Sequence, residues 1–60
     1  MKNEIISRFL FDNEIKQWQA ADYLGIKPES LCRKLRYDLP EEEQEKIVST
    51  IKDAMAAAKK

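Results

Sequence analysis

The stretch Gln17-Trp18-Gln19-Ala20-Ala21-Asp22-Tyr23-Leu24-Gly25-Ile26-Lys27-Pro28-Glu29-Ser30-Leu31-Cys32-Arg33-Lys34-Leu35-Arg36 decides the fold. Ala20, Ala21 and Leu24 share one side of a helix over residues 17–24, and Gly25, just past Leu24, supplies the left-handed turn that stops it. Pro28, with its fixed φ and missing N–H, suits the first turn of a second helix, whose inner side carries Leu31 and Leu35 four residues apart. This helix is expected to run over residues 28–37. Two helices that meet steeply through a short turn need a small residue where their axes cross, a glycine in the turn and apolar residues around it. Ala21, Gly25, Ile26 and Leu31 meet that demand.

Working outward, Met1, Ile5, Ile6, Phe9 and Leu10 fall on one helical face and predict a helix over residues 3–12, with Asn13 as the left-handed residue closing it. Downstream, Pro40 takes the first-turn role again, and Glu41, Glu42 and Glu43 place negative charge at the positive end of a helix. Ile47, Val48, Ile51, Met55 and Ala58 mark its buried stripe over residues 40–57. No segment alternates with period two, so the expected class is all-α: a compact four-helix domain over residues 1–60. Residues 56–60, three alanines and two lysines, read as a fraying end.

Composition narrows the function. A chain of 60 residues buries only about 60% of the surface its unfolded form exposes, so the core is minimal. A hydrophobic share of 43% against 37% charged is nonetheless enough for a packed helical domain. With no His and Cys32 as the only cysteine, zinc sites built from Cys and His, Cys–His or Ser–His nucleophile pairs and internal disulfides are excluded. A single glycine rules out a glycine-rich phosphate-cradling loop. No enzyme activity, cofactor or metal is expected. Met1-Lys2-Asn3-Glu4 lacks the apolar run of a signal peptide, no stretch reaches the length of a spanning helix, and the free thiol points to the cytoplasm.

Eleven Lys and Arg balance eleven Asp and Glu, so electrostatic function lies in how the charges are distributed. Residues 1–26 carry a net −1, residues 27–36 a net +3 and residues 37–60 a net −2. All of the positive excess sits on the turn and the third helix. A local basic face on an otherwise neutral or acidic body suits a helix that docks against phosphates.

The set Gln17, Ala21, Leu24, Gly25, Ile26 and Leu31 resembles the helix-turn-helix of the phage repressor and Cro type, the xenobiotic-response-element class of small bacterial and phage regulators. The likeness is close over about twenty residues and looser over the rest. Lys16 and Lys27 stand where the family usually places a Ser or Thr cap, and Leu35 comes one residue later than the usual last core position. The resemblance implies a lambda-repressor-like fold and a sequence-specific DNA-binding transcriptional regulator, a repressor of phage or mobile-element type with its third helix in the major groove. It also implies that Gln17 anchors register on a phosphate.

Helical geometry completes the candidate site. With the buried face of the third helix centred on Leu31 and Leu35, Arg33, Glu29 and Arg36 point most directly away, Ser30 lies beside them, and Cys32 and Lys34 fall on the flanks. The DNA-binding candidates are therefore Gln17, Lys27, Glu29, Ser30, Arg33, Lys34 and Arg36, with Arg33 reading a guanine and Lys34 or Arg36 on phosphates. Glu29, four residues before Arg33, pairs with it or accepts from a cytosine. Trp18 is expected to pack over the core rim, the alternative being an indole N–H donated to a phosphate, Cys32 to be a small filler, and Tyr23 and Tyr37 to be half-buried. One such module reads few base pairs, so a homodimer on a palindromic site is expected, joined through the overhanging stripe Ile51, Met55 and Ala58 of the C-terminal helix. The alternative is a protein-binding module, such as an antirepressor that uses the same fold to grip another regulator through its acidic fourth helix.

Overall fold

The computed structural model describes residues 3–58 and holds four helices: α1 (Glu4–Asp12), α2 (Gln17–Leu24), α3 (Pro28–Leu35) and α4 (Glu41–Ala58). No strand occurs among the described residues. Helices α1 and α2 both lie against the long α4, and α3 packs against α2. The centre is made of Ile6 from α1, Ala20 and Ala21 from α2, Leu31 from α3, and Ile47, Val48 and Ile51 from α4, all buried. Around it Ile5, Phe9, Leu10, Ile15, Tyr23, Leu24, Leu35, Leu39 and Met55 are partly covered. The two alanines let α2 approach α4 closely, and each buried Ile or Leu side chain contributes about 1.5–3 kcal/mol of gross hydrophobic stabilisation. Met1, Lys59 and Lys60, which the sequence assigns to the first stripe and the fraying end, lie outside the described residues; α4 is helical through Ala58.

Two of the three turns close in the same way. Gly25 has φ 72° and ψ 27°, its N–H donates to the Asp22 carbonyl, and the Ile26 N–H donates to the Ala21 carbonyl at 3.0 Å. That is a Schellman closure with glycine in the left-handed position, as the sequence predicts. At the end of α1 the Ile15 N–H reaches back to the Leu10 carbonyl at 2.8 Å and the Glu14 N–H to that of Phe11. Here the left-handed residue is Glu14 (φ 53°), one position beyond the expected Asn13, which has φ −100°. Asn13 instead donates its side-chain amide to the Phe9 carbonyl at 2.9 Å, so it covers a terminal carbonyl without leaving the right-handed side of the map.

The sequence places the end of the third helix two residues too late. A polar clasp stops α3 at Leu35. The buried Asn3 donates its side-chain Nδ2 to the carbonyls of Leu35 and Tyr37, both at 2.9 Å, and accepts at Oδ1 from the Leu39 N–H at 2.8 Å. Its backbone N–H donates to Asp38 Oδ1 at 3.2 Å. Gln44, buried on α4, completes the arrangement: Oε1 accepts from the N–H groups of Ile5 and Ile6 at 3.0 and 3.4 Å, and Nε2 donates to the Leu39 carbonyl at 2.8 Å. One amide thus closes the carboxyl end of α3 and the other caps the amino end of α1 from across the fold. Pro40 correspondingly sits at the cap of α4, its carbonyl accepting from the Gln44 N–H, and the helix proper starts at Glu41 rather than at Pro40.

Tyr37 leaves the helix and is 69% exposed, not half-buried, because the chain turns outward once Asn3 has taken its carbonyl. The Lys16 N–H is satisfied by Gln19 Oε1 at 2.8 Å, so α2 is capped by its own third residue instead of by a Ser or Thr.

Replacing Asn3 by Ala leaves the carbonyls of Leu35 and Tyr37 and the N–H of Leu39 without their partner, and we expect a loss of about 2–3 kcal/mol in denaturant unfolding, with the far-ultraviolet helical signal unchanged below the transition. Of the three left-handed positions, Asn3, Glu14 and Gly25, the two that close helices give opposite signs for gaining and losing a side chain. No atom lies within 4 Å of the place a Cβ would take at Gly25, so Gly25→Ala is strained by φ alone and costs about 1 kcal/mol. Glu14→Gly relieves the same strain and raises the melting temperature; a lower one contradicts the geometry at Glu14.

Candidate nucleic-acid interface

Helix α2 begins at Gln17, and the turn from Gly25 to Lys27 sends α3 back across its face. Between the start of α2 and the outward side of α3 lies a hollow lined by Gln17, Trp18, Pro28, Glu29, Cys32, Arg33 and Arg36. Four of the seven predicted DNA-binding residues, Gln17, Glu29, Arg33 and Arg36, are therefore brought to one surface. Arg33 is the residue of α3 most directly opposed to the face centred on Leu31 and Leu35, and Arg36 keeps helical φ and ψ just past the end of α3, with its N–H on the Arg33 carbonyl. The shortened helix does not remove Arg36 from the surface.

The other three are placed differently. Lys27 and Ser30 are exposed at the opening of α3, Lys27 in extended conformation at its cap position. Lys34 is exposed but faces away from the hollow, towards α4, in a shallow depression with Leu24, Ile26, Glu43, Lys46, Ile47 and Thr50. Two opposite flanks of one helix separate Lys34 from Arg36. The exposed Glu29 lines the same hollow as both arginines, and the exposed Glu43 the same depression as Lys34.

Trp18 does not pack over the core rim. It is 55% exposed and forms part of the wall of the hollow with Pro28 and Cys32. Helical arithmetic carries the signal for this: at 100° per residue Trp18 lies about 110° from the centre of the Ala20, Ala21 and Leu24 face. Cys32 is an exposed free thiol lining the same hollow, not a filler. Tyr23 is half-buried, as its sequence position suggests.

The proposed pairing stripe requires one correction. Ile51 is 0% exposed and belongs to the centre of the protomer's own core, so it presents no surface to a second chain. Met55 is half-buried beside Phe9, in a shallow groove that Asn13, Lys52 and Ala56 also line, and the Lys52 ammonium stands 5.7 Å from the centre of the Phe9 ring. Ala58 is exposed.

Among the described residues no helix is long and apolar enough to cross a membrane, and no group of three or more His, Cys, Asp or Glu is placed to hold a metal ion. Compared with known family models, with curated proteins and with solved structures, the chain matches none significantly.

Proposed function

We propose that α2 and α3 form a helix-turn-helix of the phage repressor and Cro type and that the chain is a sequence-specific DNA-binding transcriptional regulator. The observation that carries this function is the convergence of Gln17, Arg33 and Arg36 on one hollow between the two helices. In that arrangement α3 enters the major groove, Arg33 holds a guanine through its two-pronged guanidinium, and Gln17 donates its amide to a phosphate at the edge of the groove. Arg36 and Lys27 add phosphate attraction from either end of α3, and Lys34 contributes from the flank that faces α4. The basic excess of residues 27–36 supports docking on this side, and the acidic remainder of the chain limits adhesion of the other surfaces to DNA.

Two copies on a palindromic site, with half-site centres about 34 Å apart, supply the selectivity that one short helix lacks. The pairing surface is the end of α4, where the half-buried Met55 and the exposed Ala58 follow the last core residue, Ile51. We infer a homodimer held there.

Titration against random duplex DNA tests the assignment. Binding at low salt should weaken with a slope of roughly −3 to −4 in log K against log salt, given four cations on the turn and third helix. Arg33→Ala should lose about 1–3 kcal/mol of discrimination between a selected site and random DNA while its melting temperature stays put. Lys34→Ala should weaken all sequences alike and make the slope shallower by about one. No binding at low salt supports a protein-binding module with the acidic start of α4 as its contact surface. Sedimentation at micromolar concentration checks the pairing: the intact chain is expected to be dimeric, alone or on DNA, and Met55→Glu monomeric.

A further inference from the structure

The hollow beside α3 has two kinds of wall. Gln17, Glu29, Arg33 and Arg36 give it polar lining, and Trp18, Pro28 and Cys32 give it apolar lining. At about 640 Å³ it is too large for a single ion or water and of the size that receives part of a larger molecule. A tryptophan left 55% exposed in the lining of a hollow that two arginines also line is not part of the core, and an indole N–H donated to a phosphate would still leave its ring face uncovered.

The inference rests on the DNA assignment above and specifies what the site takes. In the major groove every base edge offers hydrogen-bond donors or acceptors, and the one apolar group presented there is the methyl on C5 of a pyrimidine. An apolar wall that shares a hollow with a guanine-reading arginine therefore has one complementary feature among the base edges of the major groove. We propose that Trp18 and Cys32 form a wall that receives the C5 methyl group of a pyrimidine adjacent to the guanine held by Arg33. The step recognised is thymine beside guanine, or 5-methylcytosine beside guanine, which carries the same methyl in the same place. Pro28 holds the opening of α3 in the conformation that keeps this wall in place.

The test uses the full chain and sites selected from random duplexes. In a selected site, single thymines are replaced in turn by deoxyuridine, which removes only the methyl. At one thymine adjacent to a guanine the dissociation constant should rise about four-fold, the effect of one buried methyl. In a duplex with cytosine at that position, 5-methylation should restore the affinity by a similar factor. Trp18→Ala should bind more weakly and no longer distinguish thymine from deoxyuridine there, whereas Trp18→Phe should keep most of the difference; melting curves establish that both variants fold. Sites selected without any thymine beside a guanine, or affinity unchanged by every deoxyuridine, overturn the methyl wall and leave DNA binding standing. A methyl effect that persists undiminished in Trp18→Ala also overturns it. Absence of duplex binding at low salt overturns this inference and the function it rests on together.

Discussion

Two neutral amides determine how α1, α3 and α4 are joined. Asn3 holds the end of α3 and the turn that follows it, and Gln44 holds the start of α1 and the same turn from the other side. A chain of this length has little core with which to fix helix ends, and buried polar groups that find all their partners specify one arrangement more sharply than apolar contacts do. No buried side-chain nitrogen or oxygen among the described residues lacks a partner. The clasp bears on the candidate interface because it decides where α3 stops, and hence that Arg36 follows the helix while Tyr37 turns outward.

From that constraint the surface follows. With Leu31 buried and α3 held at its carboxyl end, Arg33 points outward, and the Gly25 turn brings the start of α2 alongside. Gln17 also lines a second hollow with Asn3, Ile6, Ser7, Leu10 and Leu35, so it stands at the junction between the α3 surface and the side of α1. Lys34 falls outside because it lies on the flank of α3 that faces α4. A helix has two flanks, and only its neighbours determine which of them shares a surface with Gln17.

Much of this was legible in the residues themselves. The bounds of α2 and the left-handed Gly25 come from local signals, namely apolar spacing and a glycine stop, and these survive folding because the Schellman closure is itself local. The end of α3 was not legible, since the residue that stops it lies 32 positions away in sequence and reads locally as an ordinary polar residue near the start of the chain. Gln44 was hidden for the same reason, amid a run of glutamates. Glu14 occupies a conformation that sequence reading assigns first to Asn or Gly, and Asn13 beside it attracted the assignment. Trp18 was misplaced by the general habit of tryptophan to be covered, although its angle on the α2 wheel indicated otherwise. Ile51 fits both core and overhang by periodicity, and only the packing of α1 and α2 on α4 assigns it to the core.

The chemical character of the clasp separates two responses to the medium. Asn3 and Gln44 carry no charge, and of the groups they bond only the Asp38 carboxylate does. Counterions weaken guanidinium and ammonium attraction to phosphate steeply but act little on buried amide hydrogen bonds. Under the proposed DNA binding, ionic strength adjusts the adhesiveness of the α3 surface while the scaffold beneath it keeps its shape, so a molecule released by salt is already folded for its next encounter.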